Sequence, residues 1–98
     1  MSIKKQFVKT KSVCKVTFSI DAKEASSAAV VGDFNSWDAK VGELSKLKSG
    51  VFKATFDLPK DASYEFKYLI DGQYVNDAEA DAFVFNGFAN AENGVLVL

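Results

Sequence analysis

The chain has 98 residues, 48% hydrophobic and 26% charged, with 13 acidic side chains against 12 basic ones and a net charge of −1. That length suits one domain burying roughly two-thirds of its unfolded surface and excludes a (β/α)8 barrel of about 250 residues. The composition excludes disorder, and the charge balance lacks the basic excess of a nucleic-acid binder.

Residues 1–12 read as a basic arm or an edge strand, because Lys4, Lys5, Lys9 and Lys11 face no acid and edge lysines discourage strand-to-strand association. Residues 13–98 read as the folded domain. Val16, Phe18 and Ile20 alternate with Lys15, Thr17 and Ser19, a strand with one buried face. Ala22 to Ala29 contains helix formers without a large apolar face, and Ser26-Ser27 makes it a turn. Ala28 to Val31 is a short apolar run ending at Gly32. Phe52, Ala54, Phe56 and Leu58 alternate with Val51, Lys53, Thr55 and Asp57, and Tyr64, Phe66, Tyr68 and Ile70 with Glu65, Lys67 and Leu69, with Pro59 to Ala62 between the two strands. Asp71-Gly72 is a two-residue hairpin signal leading to Gln73-Tyr74-Val75-Asn76. Gly94 to Leu98 is apolar throughout, as in a strand covered on both sides. The pattern predicts an all-β fold, an immunoglobulin-like antiparallel β-sandwich of about seven or eight strands.

The composition argues against catalysis. There is no histidine, every basic residue is a lysine, and Cys14 is the single cysteine. The commonest general base, bidentate anion clamping and a multi-cysteine zinc site are therefore missing. Asp77, Glu79 and Asp81 lack the glycine and glutamate spacing of a calcium loop and read as a solvated acidic loop. We expect no enzyme activity, no metal and no cofactor. The start lacks a signal peptide and no stretch reaches about 18 apolar residues, so a cytoplasmic chain without a membrane partner is expected.

Binding is better supported, because several large rings fall where alternation does not bury them. In Gly32-Asp33-Phe34-Asn35-Ser36-Trp37-Asp38, Phe34 follows a strand directly and reads as the anchor. The pattern leaves Trp37 open between core and solvent. Lys67 lies between core-facing residues and points outward. Tyr74 pairs near Leu69 or Lys67, with its face undetermined. Phe88 lies in a Gly/Asn loop, as a lid on the core or a ligand contact.

Val30 to Trp37, Gly50-Val51-Phe52 leading to Asp57-Leu58-Pro59, Tyr64 to Tyr74, and Asn93 to Val97 together resemble the family 48 carbohydrate-binding modules over residues 13–98. That family includes the glycogen-binding domain of the AMP-activated kinase β subunit and the amino-terminal domains of branching and debranching enzymes. The resemblance implies an immunoglobulin-like sandwich that binds α-1,4-glucan, such as glycogen, starch-like chains or malto-oligosaccharides. It implies that Trp37 stacks on glucose, Lys67 bonds sugar hydroxyls, and Tyr74 stands where the family carries a second tryptophan. Phe88 matches the loop residue that reaches through the glucan's curve. Asn93, or alternatively Asn90, matches an asparagine before the last strand.

The alternative is a structural or protein-interaction sandwich that packs on or regulates a glycoside hydrolase, branching enzyme or kinase through the same exposed rings.

Overall fold

A computed structural model describes residues 2–7, 9, 12–87 and 91–98. Among them are nine strands in two antiparallel sheets facing each other, the expected all-β sandwich. One sheet has the order β1(Ser2–Phe7), β2(Val13–Asp21), β5(Val51–Pro59), β4(Ser45–Lys46). The other has β3(Ala28–Gly32), β6(Ser63–Ile70), β9(Ala91–Val97), β8(Ala82–Asn86), with β7(Gln73–Val75) also paired to β6. The first is called here the polar sheet and the second the groove sheet.

Alternation fills the core. Val16, Phe18 and Ile20 of β2 and Phe52 and Leu58 of β5 meet Phe66 and Tyr68 of β6 and Leu96 of β9. Phe18 is the hub, with its ring centroid 5.7 Å from that of Phe66 and 6.1 Å from that of Tyr68, tilted or edge-on as ring quadrupoles favour. Phe34 anchors its segment as expected, its ring 6.1 Å from Phe18 and nearly parallel to it. Cys14 is a buried free thiol.

The hairpin at Asp71-Gly72 forms with two residues, Ile70 pairing directly with Gln73. Both turn residues take positive φ, 47° and 81°, the twist that suits two-residue hairpins. Asp71 is held there because its carboxylate accepts the Ser26 and Ser27 amides, each at 2.9 Å.

Three features differ from the sequence expectation. Strand β8 has no alternation to reveal it, since Phe83, Val84 and Phe85 are consecutive and all exposed. Asp77, expected in a solvated loop, is fully buried, because its Oδ2 accepts the Tyr68 hydroxyl at 2.7 Å and its Oδ1 the Glu79 amide at 2.8 Å. Lys67 leaves the core side as expected but is only 8% exposed, covered by neighbours on the outer face.

Candidate functional site

Strand β6 has two partners on one side, and the junction between them makes the site. It pairs with β9 as far as Phe66–Gly94, then with β7 from Tyr68–Val75 onward. Lys67 falls in the crotch of that fork, with a strand partner, Val31, only on its β3 side. Where β7 and β9 diverge, the outer face opens into a groove of about 390 Å³ lined by Trp37, Lys67, Tyr74, Asn86, Ala91 and Asn93. Asn76 ties the fork together. Its Oδ1 accepts the Lys67 ammonium at 3.2 Å, and its Nδ2 donates to the Glu92 carbonyl at 2.9 Å.

Trp37 is brought over this groove by an unusual backbone. Ser36 and Trp37 are both left-handed, φ 56° and 59°, where each non-glycine residue costs about 1–2 kcal/mol. The surroundings hold them. The Trp37 amide donates to the Gly32 carbonyl at 2.9 Å, and the Asp38 amide to the Asn35 carbonyl at 3.1 Å. The Asn35 side chain accepts the Gly32 amide and donates to the Val30 carbonyl, both at 3.0 Å. Gly32 is required, since a Cβ there would lie 2.5 Å from the Glu65 carbonyl oxygen. The indole Nε1 donates to Asp33 at 3.2 Å, while Asp33's other oxygen accepts the Glu65 amide of β6 at 2.9 Å. The ring is thereby pinned to the groove sheet yet stays 38% exposed.

Tyr74 pairs with Leu69, which settles its face: it shares the outer surface with Lys67 and stands 65% exposed. Asn93 is nearly buried in the groove wall and donates from Nδ2 to Glu65 at 3.2 Å. Its Oδ1 has no hydrogen-bond partner among the described residues. A buried acceptor left this way costs about 1–3 kcal/mol, which a donor in the groove would relieve. Beneath the fork, burial pushes the Tyr68 hydroxyl pKa up. Its bond to Asp77 and the charges of Asp77 and Glu79 push the same way, so it stays a neutral donor.

Four of the sequence candidates, Trp37, Lys67, Tyr74 and Asn93, therefore lie around one groove. Phe88 and Asn90 lie outside the described residues. Sequence reasoning missed Asn86, Ala91 and the bracing Asn76, which no local pattern marks because they meet only through strand register. Chemically the lining offers two rings, two amides and one ammonium, with no carboxylate or thiol. That set suits a neutral, hydroxyl-rich ligand with flat apolar faces. No group of three or more potential metal ligands occurs among the described residues.

Residues 7–84 match the family model described as carbohydrate-binding module 48 (isoamylase N-terminal domain). The 1,4-alpha-glucan branching enzyme GlgB of Prochlorococcus marinus (strain MIT 9301) is 31% identical over 83 residues, 84% of this chain and 11% of that enzyme. The enzyme of the same name from Lactobacillus acidophilus (strain ATCC 700396 / NCK56 / N2 / NCFM) is 36% identical over 70 residues, 68% of this chain. This chain spans only 11% of the length of either relative.

Proposed function

The chain belongs to the carbohydrate-binding module 48 family, and on that premise we propose that its groove binds α-1,4-linked glucan without catalysis. The observation that carries this reading is the convergence of Trp37 and Tyr74 with Lys67 and Asn93 at the fork of one sheet. A glucose ring presents C–H bonds on its faces and hydroxyls at its rim. Trp37 and Tyr74 cover faces, and Lys67 and the unpartnered Asn93 Oδ1 address the rim. Stacking contributes on the order of 1–3 kcal/mol per ring, by analogy with aromatic–base stacking, and each rim bond about 1 kcal/mol. Less the cost of ordering the sugar, the sum corresponds to dissociation constants of roughly micromolar to millimolar.

Trp37 is the sole tryptophan, so its fluorescence reports on the groove directly. Titration with maltoheptaose is expected to shift the emission saturably, and Trp37→Ala is expected to abolish retention on glycogen while melting little changed. A flat titration, with glycogen retention absent from the unaltered chain, would overturn the reading. It would favour instead a module that packs on another protein.

A further inference from the structure

The strand edges of this sandwich are not equally protected. Edge strand β1 carries Lys4 and Lys5, and β4 is two residues long and carries Lys46. The open side of β3 is covered by the segment after Val41, through the Val30 amide to Gly42 and the Leu44 amide to Ala28. Charge, shortness and covering are the usual defences of an edge. Among the described residues, strand β8 shows none of them. It is the terminal strand of the groove sheet, five residues long, and Ala82-Phe83-Val84-Phe85-Asn86 holds no charge and no proline. Among the described residues no strand pairs with its outer side. Phe83, Val84 and Phe85 are 43%, 43% and 64% exposed.

We propose that β8 pairs antiparallel with β8 of a second copy of this chain, joining two groove sheets into one. The occupant is argued from the strand itself. Its apolar sequence is symmetric about Val84, so a two-fold axis there sets Val84 against Val84 and Phe83 against Phe85 of the other copy. Register within the chain places Val84 opposite Asn93, on the groove face, and puts both phenylalanines on the other face. The pairing thus buries two cross-strand Phe–Phe contacts and one Val–Val contact, the pairs that stabilise antiparallel strands. No like charges meet on the strand, and a chain charge of −1 adds little repulsion. A closed isologous contact also removes the exposed edge from further growth.

The symmetry has a consequence for binding, which rests on the glucan reading whereas the pairing does not. Both grooves open on the same side of the joined sheet. Three strand spacings across and a few residues along separate them by on the order of 20 Å. One polymer could then engage both grooves, raising retention without any new contact to sugar.

Sedimentation velocity without sugar tests the pairing. The unaltered chain is expected to dimerise in the micromolar range, and Val84→Lys to weaken the dimer at least tenfold with its melting curve unmoved. Val41→Lys, at a still more exposed valine away from the edge, is expected to leave it intact. Cross-linking covers the case in which Val84→Lys misfolds. Directly opposed Cα atoms lie about 4.5–5.5 Å apart, within disulfide reach. Val84→Cys should therefore give a disulfide dimer under mild oxidation and Val41→Cys should not, with Cys14 buried and silent. A chain that stays monomeric to about millimolar concentration, or a dimer indifferent to Val84→Lys, overturns the proposal. Where the unaltered chain pairs and binds glucan, Val84→Lys lowers glycogen retention and leaves maltoheptaose affinity unchanged. If the glucan reading alone fails, the dimer remains and neither sugar binds.

Discussion

The two outer faces of this sandwich are built from the same repeating element and have opposite characters. On the polar sheet, Lys15, Thr17 and Ser19 of β2 oppose Asp57, Thr55 and Lys53 of β5, residue by residue, in one uninterrupted register. The result is a solvated ladder. Thr17 and Thr55 share a hydroxyl bond of 2.8 Å, and Lys15 reaches Asp57 at 3.7 Å. On the groove sheet, register breaks at Lys67, where β6 exchanges one partner for another. A continuous ladder leaves no concavity. A forked one opens a groove, floors it with a lysine that has a strand partner on one side only, and lets rings from β7 and the Trp37 loop stand at its margins.

The sharpest way to break the contrast is to remove what lies beneath the fork. Asp77→Ala deletes the acceptor of the buried Tyr68 hydroxyl and of the Glu79 amide. Two orphaned groups should cost about 2–4 kcal/mol in denaturant unfolding, and glucan binding should fall with stability. A cost below about 1 kcal/mol would mean that the fork is held from above, by Asn76, rather than from below. Lys67→Met acts from above, on the groove and on the bond to Asn76. It keeps the stem, removes the ammonium, and should weaken maltoheptaose binding about five- to tenfold at a stability cost of about 1 kcal/mol, less than that of Asp77→Ala, because Asn76 keeps its bond to Glu92. Unchanged affinity would take Lys67 out of contact with sugar.

The contrast also explains what the sequence made legible. Strands β2, β5 and β6 are readable because one face of each meets the core, so apolar residues recur at every second position. The turn at Asp71-Gly72 is readable because positive φ at two positions selects its residues. Strand β8 is not, since at an exposed edge neither face is buried and Phe83-Val84-Phe85 shows no period. Asp77 misled for a related reason. An aspartate between Asn76 and Ala78, with Glu79 and Asp81 close behind, has the composition of a solvated loop, and the Tyr68 hydroxyl that makes its burial favourable lies on strand β6. The rings of Trp37 and Tyr74 stood out as candidates, but the fork that unites them exists only in the pairing of β6 with β7 and β9. No local window of sequence contains it.

A smaller effect couples the two sheets. Lys5 of β1 donates to Asp81 at 2.6 Å, and the same carboxylate oxygen accepts the Val97 amide at 2.8 Å. Burial by itself raises the Asp81 pKa. The hydrogen bond from Lys5, that from Val97 and the Lys5 charge outweigh it, so the carboxyl titrates below its ordinary value. The native state therefore binds this proton less readily than the unfolded chain. The stabilisation is complete above the unfolded value, about pH 4, and disappears as pH falls through the lower native one. Both side chains are partly exposed, which limits the effect to under about 1 kcal/mol. Asp81→Asn should flatten the acid limb of stability against pH. An unaltered limb would show that the contact is screened away.

The least effect belongs to the polar face, and there the comparison is most easily refuted. Thr17→Val combined with Thr55→Val removes both partners of the exposed hydroxyl bond, so no polar group is left orphaned. Valine also suits a strand at least as well as threonine. Unfolding free energy should stay within about 0.5 kcal/mol and the maltoheptaose titration should superimpose on that of the unaltered chain. A binding change would show that sugar also contacts the continuous ladder. In that case the break in register at Lys67 would not be what separates a binding surface from a solvated one.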